Sequence, residues 1–140
     1  MCGKPFQKSM HLAWLPNALN ASSFDLTIPE GRRLVLEEIS GTAFMPQDVK
    51  LTSVLVVTSV GPSNIGENLG TIVVEAQFVG REDGSTNVPD IYVFSRRVLA
   101  FCEGPNAAEV LAARTPAAVP AGKPQGEVDM TVAGYLVDLG

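Results

Sequence analysis

The sequence is poor in the side chains from which most enzymes are built. His11 is the only histidine in 140 residues, so one chain cannot supply a histidine pair or a metal site with two imidazole ligands. Two cysteines, Cys2 and Cys102, permit one disulfide but not a disulfide framework, and the compartment stays open. No Gly-x-Ser-x-Gly elbow occurs, which removes the commonest hydrolase nucleophile motif. No run of about 18 apolar residues is present to span a bilayer as a helix. Basic residues are also scarce, 10 against 15 acidic ones for a formal charge of −5. That sign opposes attraction to phosphate, so DNA and RNA are not expected partners.

What is abundant points to a folded domain with many turns. The 46% hydrophobic and 18% charged content lies far from the disordered regime. A chain of this length is expected to hold one core. The 13 glycines and 10 prolines exceed what helical bundles tolerate. Phe24, Leu26 and Ile28 alternate with polar residues before Pro29-Glu30-Gly31, the period of a half-buried strand closed by a tight turn. Arg32 to Ala43 is a second strand, with a bend or bulge expected near Gly41. The β-branched density of Val49 to Val60 argues a central strand. Thr71 to Val79, Ile91 to Cys102 and Val128 to Val137 alternate likewise. Ala107 to Arg114 has high helix propensity, yet two turns of isolated helix are marginal and prolines follow, so a strand is preferred. Gly61 to Gly70, Gly80 to Pro89 and Pro116 to Gly126 read as loops.

Seven or eight strands without an intervening helix predict an all-β fold of antiparallel sheets. A jelly-roll-like β-sandwich suits the unequal strands and loops better than the alternative, a closed β-barrel. Residues 1–22 are expected to be an arm or edge segment on a single domain spanning 23–140. The apolar patch Leu12 to Leu15 is too short for a secretory h-region and meets Pro16 at once. Cys2 lacks the upstream apolar stretch of a lipid-anchored precursor.

Phe24 to Gly41, FDLTIPEGRRLVLEEISG, and Val128 to Gly140, VDMTVAGYLVDLG, resemble a pattern in short, β-rich bacterial proteins of unknown function. Those open on F-x-V-P-x-G-x-R-L-V-I-E-x-V-S-G and end on G-Y-L-V-D. The resemblance implies a sandwich-like fold and an extracellular setting, and it brings no catalytic residue or cofactor.

Each candidate for chemistry has a plainer reading. His11, beside Met10 and Leu12, reads as an arm residue, and Cys102, ending an apolar strand, as a structural or disulfide cysteine. Asp83, Ser85 and Asn87 have the odd-position spacing of a calcium loop, with Glu82 beside them. The bidentate Glu of an EF-hand is missing, and Asp-Gly is an ordinary turn signal. Arg32-Arg33 and Arg96-Arg97 alternate faces on strands, and an inward Arg97 would need Glu37 or Glu38 as a structural ion pair. Glu37 and Glu38 alternate faces too, so they do not form a paired acid and base.

Trp14, Tyr92 and Tyr135 are polar-tipped aromatics of the kind that stack on sugars, although both tyrosines sit in core-like strands. Leu12, Trp14 and Leu15 lie outside the strand pattern and must bury themselves on their own domain or on a partner. The reading preferred from sequence is a non-catalytic module that self-assembles, as a homo-oligomer through its N-terminal arm, or binds a partner. Carbohydrate or surface-ligand binding through the loops at Gly61 to Gly70 and Gly80 to Pro89 is the first alternative. An enzyme is the second.

Overall fold

A computed structural model describes residues 3–59, 69–81, 89–105, 107–116 and 119–140. The described residues form nine strands and no helix, hence none long and apolar enough to cross a membrane. They are β1 (Lys4–Ala13), β2 (Asn20–Thr27), β3 (Arg32–Met45), β4 (Leu51–Ser59), β5 (Leu69–Val74), β6 (Gln77–Arg81), β7 (Asp90–Glu103), β8 (Ala107–Arg114) and β9 (Glu127–Asp138). Two antiparallel sheets, ordered β1-β9-β3-β7-β6 and β2-β8-β4-β5, pack face to face as the expected sandwich. The closed barrel does not hold, because each sheet ends in two edge strands. Only β4–β5 and β6–β7 are hairpins within one sheet, and every other connection crosses between sheets.

Period-two alternation builds the core. From one sheet come Leu34, Leu36, Ile39, Ala43, Val128, Met130 and Val132; from the other, Val54, Val56, Ala108, Val110 and Ala112. Hydrophobic burial on this scale is the main stabilising term. Ala107–Arg114 is a strand, alternating half-buried and buried along its length. Ladders to β2 and β4 on both sides satisfy its backbone, and tertiary pairing overrides its helix propensity.

Three details differ from the sequence expectation. The run expected as one strand from Thr71 to Val79 is split, since β5 pairs with β4 in one sheet and β6 with β7 in the other. With β1 added, the count becomes nine rather than seven or eight. The irregularity in β3 sits between Leu36 and Glu38 rather than at Gly41. It keeps both Leu36 and Ile39 fully buried and turns Glu37 and Glu38 outward, as a bulge does by inserting one residue. Phe24 is exposed, not core, because a second shift between Ser23 and Leu26 breaks the alternation there.

The N-terminal segment belongs to the sandwich. β1 pairs along its whole length with β9, from Lys4 opposite Leu136 to Ala13 opposite Glu127. Leu12 and Trp14, candidates for a partner contact, are 1% and 4% exposed within the domain's own core. Leu15, at 74% exposed, is the one of the three that faces outward. The apolar patch is therefore satisfied mainly on its own domain.

Candidate functional site: a cleft at one end of the sandwich

Beyond the last rungs of β1, β3, β7 and β9 lies a cleft of about 850 Å³. Trp14, Phe44, Pro46, Pro89, Pro120 and Pro124 supply its apolar lining, with Gln47, Lys123 and Glu127 as polar lining groups. Trp14 with the segment 119–127 forms one wall, Pro46, Gln47 and Pro89 form the other, and a buried charged side chain stands behind each.

Behind the first wall lies the turn Leu15-Pro16-Asn17-Ala18, closed by a hydrogen bond from Ala18 N–H to Leu15 C=O of 3.1 Å. Asn17 has φ of 66°, the left-handed third position that Asn tolerates after Pro. Arg114 clamps this turn to the segment 119–126. Its Nε donates to Ala18 O at 2.9 Å and its Nη2 to Leu15 O at 3.5 Å, while Nη1 donates to Gln125 O. Gln125 Oε1 accepts from Nη2 at 3.4 Å, and its amide nitrogen donates to the carbonyls of Val119, Pro120 and Lys123 at 3.2, 2.8 and 3.2 Å.

The Trp14 indole completes this wall. Its Nε1–H donates to Leu19 O at 3.0 Å, its backbone N–H donates to Gly126 O at 3.3 Å, and the Arg114 guanidinium lies 5.8 Å from its ring centroid. Gly126 has φ of 110°, and a side chain there would press on Met45 and Pro46, so glycine is needed at this corner. Arg114 is 4% exposed and has no carboxylate partner among the described residues. Burial pulls its pKa below the ordinary guanidinium value. A guanidinium keeps its charge in proteins, and here neutral carbonyls and the indole face replace its water.

The second wall is the turn Pro46-Gln47-Asp48-Val49, closed by Val49 N–H to Pro46 C=O at 3.1 Å with Asp48 at φ of 68°. Asp90, buried at the start of β7, accepts from Asp48 N–H at 3.4 Å and pairs with Arg81 Nε at 2.5 Å. Arg81 Nη2 also reaches Asp48 at 3.3 Å. Hydrogen bonding to Asp90 raises the Arg81 pKa, which strengthens its hold on the proton. Burial, reinforced by the Asp90 charge, raises the pKa of Tyr92. Tyr92 packs edge-on against Phe78 with ring centroids 5.4 Å apart.

The structure scatters the other sequence candidates. Tyr92 is buried and Tyr135 half-buried. Asp83, Ser85 and Asn87, with most of both loops proposed for ligand binding, lie outside the described residues, as does Cys2. No group of three metal-ligating side chains occurs among the described residues. Cys102 is fully buried on β7. Arg32 pairs with Asp138 at 3.0 Å and Arg33 with Glu103, structural ion pairs as expected for that dipeptide. The ion pair expected for Arg97 is not formed, because the side chain faces solvent, in register with Glu38 but unbonded to it.

Arg114, Gln125, Asp90 and Arg81 were not singled out from the sequence. A signal existed for two of them. Period two places Arg114 on the face of Ala108, Val110 and Ala112, and Asp90 on the face of Tyr92 and Phe94, so each is a charge on an apolar stripe.

His11 lies on the outer face and does not itself line the cleft. Its Nδ1 is 2.7 Å from Asp129 Oδ1 and its Nε2 is 3.6 Å from Glu127 Oε2. The Asp129 hydrogen bond raises its pKa above 6.5, partly opposed by desolvation and reinforced by the charges of Asp129 and Glu127. A raised folded-state pKa means stabilisation present below the unfolded value and lost as pH rises through the folded one. The urea midpoint is therefore expected to fall slightly between about pH 5.5 and 8, the effect being small for so exposed a pair. His11→Gln should flatten that slope, and an imidazole titrating at or below 6.5 by NMR would contradict the contact.

No protein-family model, no curated protein and no solved structure matches the chain. Function therefore has to be argued from the residues.

Proposed function

We propose that the chain is a non-catalytic β-sandwich module that works by binding a partner, with the end cleft as its recognition surface. The supporting observation is a concavity of about 850 Å³, within the ~300–1,000 Å³ of typical ligand sites. Its walls are held in place by hydrogen bonds within the chain, through Arg114 and Asp90. Pre-set walls lower the ordering cost of association. An aromatic and proline lining with few polar groups fits an apolar side chain or a small, largely apolar ligand. Carbohydrate is the second reading, favoured by the presence of Trp14 in the lining. It is the weaker one, because the indole is buried, its N–H is used by Leu19 O, and Arg114 sits near its ring.

Trp14 is the only tryptophan, so its fluorescence reports directly on the cleft. Titration with a small apolar fragment library and a glycan panel, followed by Trp14 emission and amide shifts, is expected to give hits at Trp14, Phe44, Gln47 and Gly126. Phe44→Asp should weaken such a hit by roughly tenfold, about 1.4 kcal/mol of lost apolar contact. Hits that map elsewhere, or none, would reject the cleft. A defined oligomer by light scattering that dissolves on Leu15→Ser with Leu19→Ser would move the reading to self-assembly.

A further inference from the structure

The edges of the two sheets are finished differently. β1 carries Lys4, Pro5 and Lys8; β2 has a bulge between Ser23 and Leu26; β6 has one between Phe78 and Gly80. Charges, proline and bulges of this kind discourage further strand pairing. β7 is covered by β6 only from Asp90 to Val93. From Phe94 to Phe101 it pairs with β3 on one side, and no described strand flanks the other.

This free stretch borders two cavities of about 720 and 350 Å³, separated by Arg96. Val73, Val93, Leu99 and Phe101 are exposed apolar residues on this flank. Arg96 reaches across to Val73 O on β5. Arg97, on the outer face, makes no ion pair with any described residue. Among the described residues the flank thus offers backbone that no strand pairs, an apolar rim and a cation without an ion pair, its register neighbour Glu38 being unbonded to it.

We propose that the free edge of β7 accepts an extended peptide strand from another protein, with a carboxylate set against Arg97 and an apolar residue two positions away set against Leu99. Strand addition supplies main-chain hydrogen bonds, and alternate side chains give selectivity. The spacing follows from the two-residue period of a strand, which puts Arg97 and Leu99 on one face. Charge argues for an acidic occupant over a second copy of this chain. Antiparallel pairing of β7 with itself would bring two Arg96-Arg97 pairs onto one ladder, and like charges across a ladder destabilise it.

The test uses the full chain labelled with nitrogen-15 and two capped ten-residue peptides, one alternating Val and Glu, the other Val and Lys. The expected result is saturable amide shifts along Val93 to Phe101 and Thr71 to Val74 with the acidic peptide, and binding at least ~10-fold weaker for the basic one, falling with salt. Arg97→Glu should weaken the acidic peptide by roughly tenfold and improve the basic one, leaving the Trp14 signal unchanged. Equal affinities, shifts confined to the end cleft, no binding, or a dimeric free protein with protected β7 amides would overturn the proposal. Because the cleft is read out by Trp14 and the flank by β7, failure of one does not mimic failure of the other.

Discussion

Replacing Arg114 with methionine is expected to destabilise the domain by about 3 kcal/mol and to shift Trp14 emission to the red. Methionine preserves much of the stem volume, so packing is not the main loss. What disappears is the donor set that serves the carbonyls of Leu15, Ala18 and Gln125. Each buried acceptor left without a donor costs ~1–3 kcal/mol, moderated where water enters. The turn at 15–18 and the segment at 119–126 lose their common tie, and water reaches the indole. Arg114→Lys retains charge but not the planar fork, and should recover less than half of the loss. A methionine variant within about 0.5 kcal/mol of the parent, with unchanged emission, would show that the carbonyls are satisfied without Arg114. Urea unfolding followed by fluorescence measures both quantities.

A second large effect is expected at Gly134, in the middle of β9. A Cβ there would collide with the backbone carbonyl of Val35 on β3, which is held by the ladder between the two central strands. Neither backbone can retreat without breaking hydrogen bonds, so Gly134→Ala is expected to cost about 3 kcal/mol, the upper range for overpacking. Two controls grade the claim. Gly122→Ala, with open space and no left-handed φ, should change stability by less than about 0.5 kcal/mol. Gly31→Ala, with open space but φ of 78°, should cost about 1 kcal/mol through backbone strain alone. Thermal and urea unfolding of the three variants would rank them; an unaffected Gly134→Ala would contradict the register of β3 against β9.

The candidate site was half legible. Trp14 stood out in the sequence as an aromatic that had to be buried somewhere, and it lines the cleft. Its partners did not stand out, because Arg114, Gln125 and Gly126 meet it only through the pairing of β1 with β9 and of β8 with β2. The same limit explains Arg33 and Glu103, 70 positions apart, whose ion pair depends on the register of β3 against β7. Glu37 and Glu38 show the opposite error: strict alternation put them on opposite faces, and one inserted residue turned both outward.

Alternation and turn chemistry are local, and they determined that the chain is all-β and where most strands lie; that Ala107 to Arg114 extends rather than coils was settled by its ladders to β2 and β4. Pro29-Glu30-Gly31 marked a turn because the left-handed position at Gly31 is set by a residue and its neighbours. Sheet membership is not local. Nothing within Leu69 to Arg81 announces that the chain leaves one sheet at Glu75 and joins the other at Gln77, since both halves alternate alike. That switch leaves the far half of β7 with β3 on one side and no described strand on the other, while pairings distant in sequence gather Trp14, Arg114 and Asp90 around one end. The tertiary structure decided both, because partners far apart in the chain are chosen by the packing of two whole sheets.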